Sequence, residues 1–184
     1  QKACFADYLY LVEANLGVNK ANYFLKRGIE QAIDFDQNGN INHTLKINYQ
    51  NTAHSTNWPG GKYTAWLRVY LPKETQINKV VSYDTLTNSD RKSLSSEDRV
   101  EKIEDNKQIL GFKIEVPIES QRTIEIKFNQ KTTTNQDRLR YLLYWQKQSG
   151  YQETPVSVLV SYPNNWQPLQ VNPAANVVSG KLLF

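Results

Sequence analysis

The chain of 184 residues is poor in the residue types that mark disulfides, metal clusters and nucleophilic catalysis. It has one cysteine, Cys4, two histidines and no methionine. A lone cysteine excludes an internal disulfide and a cysteine-based metal cluster, and it leaves the redox compartment open. Two histidines, His43 and His54, offer few bases that work at neutral pH. The absence of methionine even at position 1 predicts that the chain is a fragment of a longer protein.

Long apolar runs and blocks of one charge are absent as well. No stretch approaches the roughly 18 apolar residues of a membrane-spanning helix, so any membrane anchor is expected outside this chain. The formal net charge is +4, and charges of both signs are interspersed. A nucleic-acid-binding surface needs a basic stripe with interleaved aromatic residues, and the nearest candidate, around Arg140, is short. Nucleic acid is therefore not an expected partner.

What the chain does contain is alternation of apolar and polar residues, the pattern of half-buried strands. Residues 29–49 show it most clearly, as two alternating arms around a polar centre. Pairing Phe35 with Ile41 brings the apolar sets of both arms onto one face, whereas a two-residue loop would place them on opposite faces. The pattern predicts a hairpin with a three-residue loop, 37–39, in which Gly39 takes the left-handed conformation.

The tip of this hairpin also has part of a calcium-binding pattern. Asp34, Asp36 and Asn38 stand at alternate positions and are followed by Gly39, as at the start of an EF-hand loop. The twelfth position of such a loop should be a bidentate Glu, but here it is Leu45, and strands rather than helices flank the segment. The hairpin is therefore the prediction, and a cation site at Asp34, Asp36 and Asn38 is the alternative.

Further short strands are predicted along the chain, and helix signals are nearly absent. We expect the last two strands to pair with each other through a polar turn. Residues 84–107 hold twelve charged residues among twenty-four and predict an exposed excursion, while the tail, 163–184, is expected to add a closing strand or simply to end the chain. Eight or nine strands with turns between them predict one antiparallel, immunoglobulin-like β-sandwich domain over residues 1–184. The predicted strands besides the hairpin are 7–14, 63–71, 77–83, 109–118, 123–128, 141–146 and 156–162.

Candidate catalytic histidines have ordinary structural explanations. His43 falls on the apolar face of its strand, so we expect it to be packed inside or at an edge rather than to act as a base. His54 lies beside Ser55 and Thr56 in a polar segment, which is typical of a surface loop. These patterns predict a protein that is not an enzyme and has no cofactor, with hydrolysis as the third alternative.

Paired carboxylates are the other route to hydrolysis, because glycoside hydrolysis uses two of them. Asp34 and Asp36 share the polar side of their strand, where no apolar surroundings would favour a protonated acid. Glu97 and Asp98 lie within the charged excursion. Both pairs are expected to be solvated surface.

Aromatic residues offer a possible binding surface, since the chain has eleven Tyr and four Trp. In the strand 63–71, Trp66, Arg68 and Tyr70 share the face opposite the aliphatic core set, and Trp58 lies in the loop before it. Sugar rings stack on exposed aromatic side chains, so Trp58, Trp66, Arg68 and Tyr70 form a candidate glycan platform. The alternative is that this face packs within the sandwich or against a neighbouring domain.

Several segments in order along the chain resemble the C-terminal extracellular portion of the bacterial family catalogued as domain of unknown function 4012. They are Asp7-Tyr8-Leu9-Tyr10 with Asn15-Leu16-Gly17 and Asn19-Lys20, the hairpin 36–49 with Asn51, Trp58-Pro59-Gly60-Gly61, Leu67-Arg68-Val69-Tyr70-Leu71-Pro72-Lys73, and Tyr144-Trp145-Gln146-Lys147-Gln148-Ser149-Gly150. The resemblance spans roughly residues 7–163. One departure is Val18, at a position where family members often have a second glycine.

The resemblance implies an envelope protein with an N-terminal membrane helix, of which this chain is the distal part on the extracellular face. The family has no established activity, and it provides no catalytic motif to carry over to positions here. A structural or surface-interaction role is therefore expected, with a carbohydrate-binding module as the second alternative. The implied partners are cell-surface polysaccharide or other envelope proteins.

Overall fold

The computed structural model describes residues 3–131, 139–151, 154–178 and 181–184. In these residues the chain forms thirteen strands and one short 3-10 helix, Ala21–Phe24. The strands are β1 (Ala3–Asn15), β2 (Leu25–Phe35), β3 (Asn40–Asn51), β4 (Tyr63–Pro72), β5 (Gln76–Asp84), β6 (Lys92–Ser93), β7 (Arg99–Glu104), β8 (Lys107–Val116), β9 (Ser120–Lys131), β10 (Leu139–Gln146), β11 (Val156–Ser161), β12 (Asn176–Val178) and β13 (Lys181–Leu183).

The strands form two sheets that share one core. The small sheet has five strands in the order β10-β1-β4-β8-β7, and the large sheet has eight in the order β12-β13-β11-β2-β3-β9-β5-β6. Alternate residues of each strand point to the same side, so each sheet turns one apolar face inward. The predicted all-β sandwich is confirmed. Its core joins residues of both sheets, among them Leu9, Leu67, Phe112, Leu45 and Ile126.

The predicted hairpin is formed by β2 and β3. Phe35 lies opposite Ile41, and Ile33 lies opposite His43, which is the register that the apolar sets required. The backbone N–H of Asp36 donates to the carbonyl of Asn40 at 3.0 Å and closes the three-residue loop. Gly39 has φ of 78°, a conformation that a glycine adopts without steric cost. The prediction is confirmed in register, loop length and glycine conformation.

Most strand pairs are antiparallel, but two pairs are parallel. β10 pairs in parallel with β1, and β11 pairs in parallel with β2. The expected hairpin between 141–146 and 156–162 is therefore wrong, because these strands lie in opposite sheets. Alternation along a strand specifies which face is buried but not which neighbour the strand takes. The chain crosses from the small sheet to the large one after β1 and again after β10. β10 lies beside β1, and β11 lies beside β2. The strands at both ends of the second connection therefore flank those of the first, and we call the two connections nested arches.

Most residues of the charged segment 84–107 are exposed as predicted, but Leu94 is buried in the core, and the segment contains β6 and β7 rather than being a structureless excursion. β7 pairs with β8 through a two-residue turn in which Asp105 and Asn106 have φ of 48° and 59°. Positive φ at both positions is typical of a type I′ hairpin turn. Charged side chains suit β7 because it forms an edge of the small sheet, where charge discourages pairing with another chain.

The tail adds a closing strand, as expected. β13 pairs with β11, and β12 pairs with β13, so both extend the large sheet. Leu182 of β13 is buried. Within the described ranges no helix has the length and apolar character needed to cross a bilayer.

Candidate functional site

His43 is sealed between the two sheets. Its ring stacks on Phe128 with the centroids 4.5 Å apart, and its Nδ1 lies 3.1 Å from Nε2 of Gln31. Its Nε2 lies 3.9 Å from Oδ2 of Asp7. Burial lowers the pKa of His43, and the nearby Asp7 carboxylate only partly opposes this effect. The prediction of a packed histidine is confirmed, and the imidazole has no open side from which to reach a substrate.

Asp7 is a buried carboxylate that the sequence patterns did not single out. Its Oδ2 accepts a hydrogen bond from the Tyr141 hydroxyl at 2.5 Å. Its Oδ1 accepts bonds from Nε2 of Gln130 at 3.1 Å and from the backbone N–H of Tyr8 at 2.8 Å. Burial, reinforced by Asp7, raises the pKa of Tyr141 well above its ordinary value. The available signal was an acidic residue in phase with the apolar face of a strand.

Glu13 forms a second buried cluster on the same strand. Its Oε1 lies 2.6 Å from Nη1 of Arg27 and accepts the Tyr49 hydroxyl at 2.8 Å. Its Oε2 accepts the hydroxyls of Tyr63 at 2.7 Å and Tyr151 at 2.5 Å. Both oxygens of this carboxyl group therefore accept two hydrogen bonds each, from one guanidinium and three phenol hydroxyls.

Glu13 shifts the pKa values of the four side chains that are bound to it. Burial and the Glu13 carboxylate raise the pKa of Tyr49, Tyr63 and Tyr151, so all three phenols stay protonated donors. Burial works against the charge of Arg27, but Glu13, Tyr49 and Tyr151 together outweigh this effect and raise the pKa of Arg27. The Arg27 guanidinium also lies 3.8 Å from the centroid of the Tyr151 ring. The cluster is a compensated ion pair that ties β1 to β2.

The connection after β10 is fastened to the same place. Oε1 of Gln148 accepts the backbone N–H of Glu13 at 2.8 Å, and Nε2 of Gln148 donates to the carbonyl of Glu13 at 3.1 Å. Gln148 thus acts as a strand neighbour where the ladder to β10 has ended. These two contacts hold Gln148 beside the end of β1.

His54 is the only other histidine, and it is exposed in the loop after β3. Its Nδ1 lies 2.8 Å from Oε1 of Glu119, and its side chain is 83% exposed. Both residues line a shallow groove that also includes Ser120. The Ser120 hydroxyl donates to the carbonyl of Pro117 at 2.8 Å, so it is directed into its own turn. Imidazole and carboxylate meet here, but the hydroxyl does not complete a nucleophilic set with them.

The acidic candidates of the hairpin tip have structural roles. One oxygen of Asp36 accepts the backbone N–H groups of Asn38 and Asn40 at 2.8 Å each, and the other accepts Nδ2 of Asn40 at 2.6 Å. These bonds, that from the Asn40 side chain above all, lower the pKa of Asp36. Asp34 is exposed. A cation at Asp34, Asp36 and Asn38 stays a prediction, and the described residues hold no group of three His, Cys, Asp or Glu side chains placed for a metal.

The second candidate pair of carboxylates lies in the loop between β6 and β7. Oδ2 of Asp98 accepts both the backbone N–H and the hydroxyl of Ser95 at 3.0 Å, and Oδ1 of Asp98 lies 3.3 Å from Nζ of Lys92. Hydrogen bonds from Ser95 lower the pKa of Asp98. Glu97 is exposed beside it. This carboxylate caps a surface turn and is held ionised, which is the wrong state for a general acid.

The outer side of the small sheet carries a set of aromatic side chains, which we call the aromatic face: Tyr8 and Tyr10 of β1, Trp66 and Tyr70 of β4, and Tyr144 of β10. Tyr8 and Tyr144 stack at 5.9 Å between centroids, and Tyr10 and Tyr70 lie 5.5 Å apart. Tyr144 is 64% exposed. Trp66, Arg68 and Tyr70 lie here together, as predicted, so within this chain they pack on the outer surface and not in the sandwich core.

A groove at one end of the aromatic face is built on a glycine. The indole of Trp66 lies over Gly111 of β8, where a side-chain Cβ would come within 3.0 Å of its Nε1. The groove has a volume of about 220 Å³, below the roughly 300–1,000 Å³ of pockets that enclose a whole small ligand. Its shape suits one unit of a longer ligand. It is lined by Trp66, Arg68, Val100, Lys102, Ile109 and Gly111.

Trp58 does not join this groove. It is 73% exposed in the loop before β4, where the backbone carbonyl of Pro59 accepts the N–H of Lys20 at 3.0 Å. Val100 of β7, which sequence reasoning missed, does line the groove and is 49% exposed despite being apolar. It was missed because its neighbours in the sequence are charged, so the segment shows no apolar alternation that would predict a strand.

Comparison with known proteins adds little to this geometry. The chain matches no family model and no curated protein. A solved structure of a protein thought to be a protease, from Parabacteroides distasonis, resembles it with a TM-score of 0.42 and 12% sequence identity. The likeness covers 88% of this chain and 34% of that chain, so the chain spans about a third of the other protein's length. A likeness this weak carries no inference about fold or activity.

Proposed function

We propose that the chain is a non-catalytic surface-interaction module and that the aromatic face is its binding surface. The observation that carries the proposal is the groove over Gly111, where the half-buried Trp66 and the 49% exposed Val100 line one concave surface. The buried histidine and carboxylates are used to join the two sheets. Contiguous apolar side chains that line an exposed groove, in contrast, are a feature of binding sites.

Carbohydrate is the ligand class that this surface suits best. A sugar ring presents a flat face of C–H groups that stacks on aromatic rings and an edge of hydroxyl groups that bonds to polar side chains. The aromatic face supplies both, because Tyr hydroxyls and the Arg68 guanidinium lie among its rings. A shallow groove that is partly open to solvent can also take one unit of a polymer, whereas an enclosed pocket would admit only a free sugar.

The setting that we propose is the extracellular face of a bacterial cell envelope, with the membrane anchor in a segment outside this chain. The resemblance to the domain of unknown function 4012 family supports this setting, and the immunoglobulin-like relationship stays a prediction beside it. Cell-surface polysaccharide or another envelope protein would be the partner. A longer gene product with an upstream membrane span, and its recovery in the membrane fraction, would test the location.

Binding can be tested by titrating the purified chain with a panel of cell-wall and capsular glycans while recording tryptophan fluorescence. We expect at least one glycan to change the emission, and Trp66→Ala to weaken that binding at least tenfold through the loss of an aromatic stacking partner. Tyr23→Ala is the matched control, since Tyr23 is exposed and lies outside the aromatic face. No response to any glycan, or full affinity in Trp66→Ala, would contradict the glycan assignment.

The non-catalytic part of the proposal has its own test. Any glycan that binds is incubated with the chain, and its chain length and reducing ends are followed over time. We expect no cleavage above the rate of a buffer blank. Cleavage that disappears in His54→Ala would show that the His54–Glu119 pair is catalytic and would overturn the proposal.

A further inference from the structure

The charges on the aromatic face are not evenly paired. The described strand residues that share the outer side of the small sheet with these aromatic side chains include five basic and two acidic ones. The basic ones are Arg68, Lys102, Lys107, Lys113 and Arg140, and the acidic ones are Glu104 and Glu115. Lys113 is bound to Glu115 at 2.8 Å, and Lys102 is bound to Glu104. The ion pairs therefore use up both carboxylates of this face and leave a surplus of positive charge.

Arg68 is the member of this surplus that lies in the groove. It is exposed and makes no ion pair within 4 Å among the residues that the structure describes. The nearest acidic influence is Glu104, whose pKa is lowered mainly by its bond to Lys102 and only in a minor part by Arg68. Arg68 is thus a cation whose hydrogen-bonding capacity is still available.

The neighbours of Arg68 leave its guanidinium open to a ligand from above. Arg68 lies opposite Gly111 on β8 and opposite Val12 on β1, and neither residue carries a polar side chain. On its own strand Arg68 stands between Trp66 and Tyr70, which project on the same side of the sheet. Each of them lies about 7 Å from Arg68 along the strand. A planar cation is therefore framed by two aromatic rings with an open groove beside it.

We propose that this groove binds an acidic polysaccharide, with Arg68 pairing the carboxylate of a sugar unit that stacks on Trp66. This inference rests on the proposed function, because it names the class of glycan that the aromatic face selects. A guanidinium presents a rigid fork of N–H donors that matches a carboxylate in a two-bond arrangement. The equatorial carboxylate of a uronic acid projects from the edge of its ring, so it can pair with Arg68 while the face of the ring stacks on Trp66. Lys107, whose Nζ lies 4.3 Å from the centroid of Tyr8, extends the positive field along the same face.

The test compares polymers that share a sugar backbone and differ in charge. Polygalacturonate, the same polymer with its carboxylates methyl-esterified, and a polyphosphate are titrated separately against the chain at low and at high salt. We expect polygalacturonate to bind at least tenfold more tightly than its ester, because the charged hydrogen bonds to Arg68 are lost with the carboxylate. High salt should weaken polygalacturonate binding and leave the ester unaffected.

Substitutions test whether Arg68 causes the preference for polygalacturonate over its ester. Arg68→Gln should remove the preference for polygalacturonate over its ester, and Arg68→Lys should keep only part of it, since a lysine cannot form the two-bond arrangement. Lys46→Gln is the matched control, because Lys46 is a basic residue of β3 in the large sheet. Arg68 is exposed, so a thermal melt of each variant should be unchanged.

Each outcome bears on one of the two proposals. Equal binding of polygalacturonate and its ester, both lost in Trp66→Ala, would overturn the acidic selectivity while supporting a glycan site. Equal binding of polyphosphate and polygalacturonate would show a general anion surface and would also overturn it. Failure of every glycan, charged or neutral, would remove the proposed function together with this inference.

Discussion

Asp7 and Glu13 lie six residues apart on β1, point to the same side and are both buried, yet they are stabilised in different ways. Glu13 is bound to a permanent cation, Arg27, and to three phenols. Asp7 is bound to neutral donors, and the nearest group able to carry positive charge is His43 at 3.9 Å. One strand therefore carries a fully compensated carboxylate and one whose compensation depends on pH.

The two carboxylates also differ in how many buried polar atoms near them lack a hydrogen-bond partner. Near Asp7, three buried atoms have no hydrogen-bond partner among the described residues, namely Nε2 of His43, Oε1 of Gln31 and Oε1 of Gln130. In the Glu13 cluster the corresponding atom is Nε of Arg27, whose guanidinium still has the Tyr151 ring against it. A buried polar atom without a partner costs free energy, so we expect the Asp7 cluster to contribute less to stability than the Glu13 cluster.

The largest expected effect comes from removing the cation of the compensated cluster. Arg27→Ala leaves the Glu13 carboxylate buried and unpaired, so it should lower the free energy of unfolding by about 3–5 kcal/mol. Chemical denaturation monitored by tryptophan fluorescence measures this change. Lys62→Ala serves as the control, because Lys62 pairs with Glu115 at the surface and should cost less than about 1 kcal/mol. Equal costs for the two variants would contradict the ion-pair interpretation.

Removing single phenol hydroxyls compares the two carboxylates directly. Tyr141→Phe and Tyr151→Phe each delete one hydrogen bond to a charged group, worth about 1.5–3 kcal/mol. We expect Tyr141→Phe to cost more, because Asp7 keeps only an amide of Gln130 and a backbone N–H, whereas Glu13 keeps Arg27 and two other phenols. Unfolding curves of both variants at neutral pH decide the order. A larger loss in Tyr151→Phe would reverse the comparison.

The smallest effect is a dependence of stability on pH that belongs to the Asp7 side alone. Burial lowers the pKa of His43 below its ordinary 6.5, with Asp7 partly opposing the shift. The unfolded chain therefore takes up the proton first, so stability is complete above about pH 6.5, falls as the pH drops below it and levels off beneath the folded pKa.

The unfolding free energy measured at intervals from pH 8 to pH 5 tests this dependence, where His43→Gln should flatten the curve. His54→Gln is the control, because it removes the exposed histidine and keeps the buried one. A curve that keeps its slope in His43→Gln would assign the dependence to other groups.

Local features of the fold could be predicted from the sequence, and distant ones could not. The β2–β3 register followed from the apolar faces around Phe35 and Ile41, because a shift of one residue would expose them. The partners of β10 and β11 could not be predicted, since the same alternation fits a position in either sheet. β7 was hidden because its apolar residues, Val100 and Ile103, stand among charged ones.

The candidate site was predictable only in part, for a related reason. Alternation placed Trp66, Arg68 and Tyr70 on one face of a strand, but it gave no information about the strands on either side. Gly111 and Val100, which complete the groove, come from β8 and β7. Asp7 and Glu13 read as ordinary charged residues in the sequence, and only the neighbouring strands show that both are buried.

The nested arches have a consequence for the growing chain during synthesis. Until residues 139–161 leave the ribosome, β1 and β2 each present an unpaired edge, since β10 and β11 are their outer neighbours. The same late segment contains Tyr141, which donates a hydrogen bond to Asp7, and Tyr151, which donates one to Glu13. This segment, which among the described strands only β12 and β13 follow, therefore covers two open edges and supplies one hydrogen-bond donor to each buried carboxylate. Both carboxylate clusters stay incomplete until it docks.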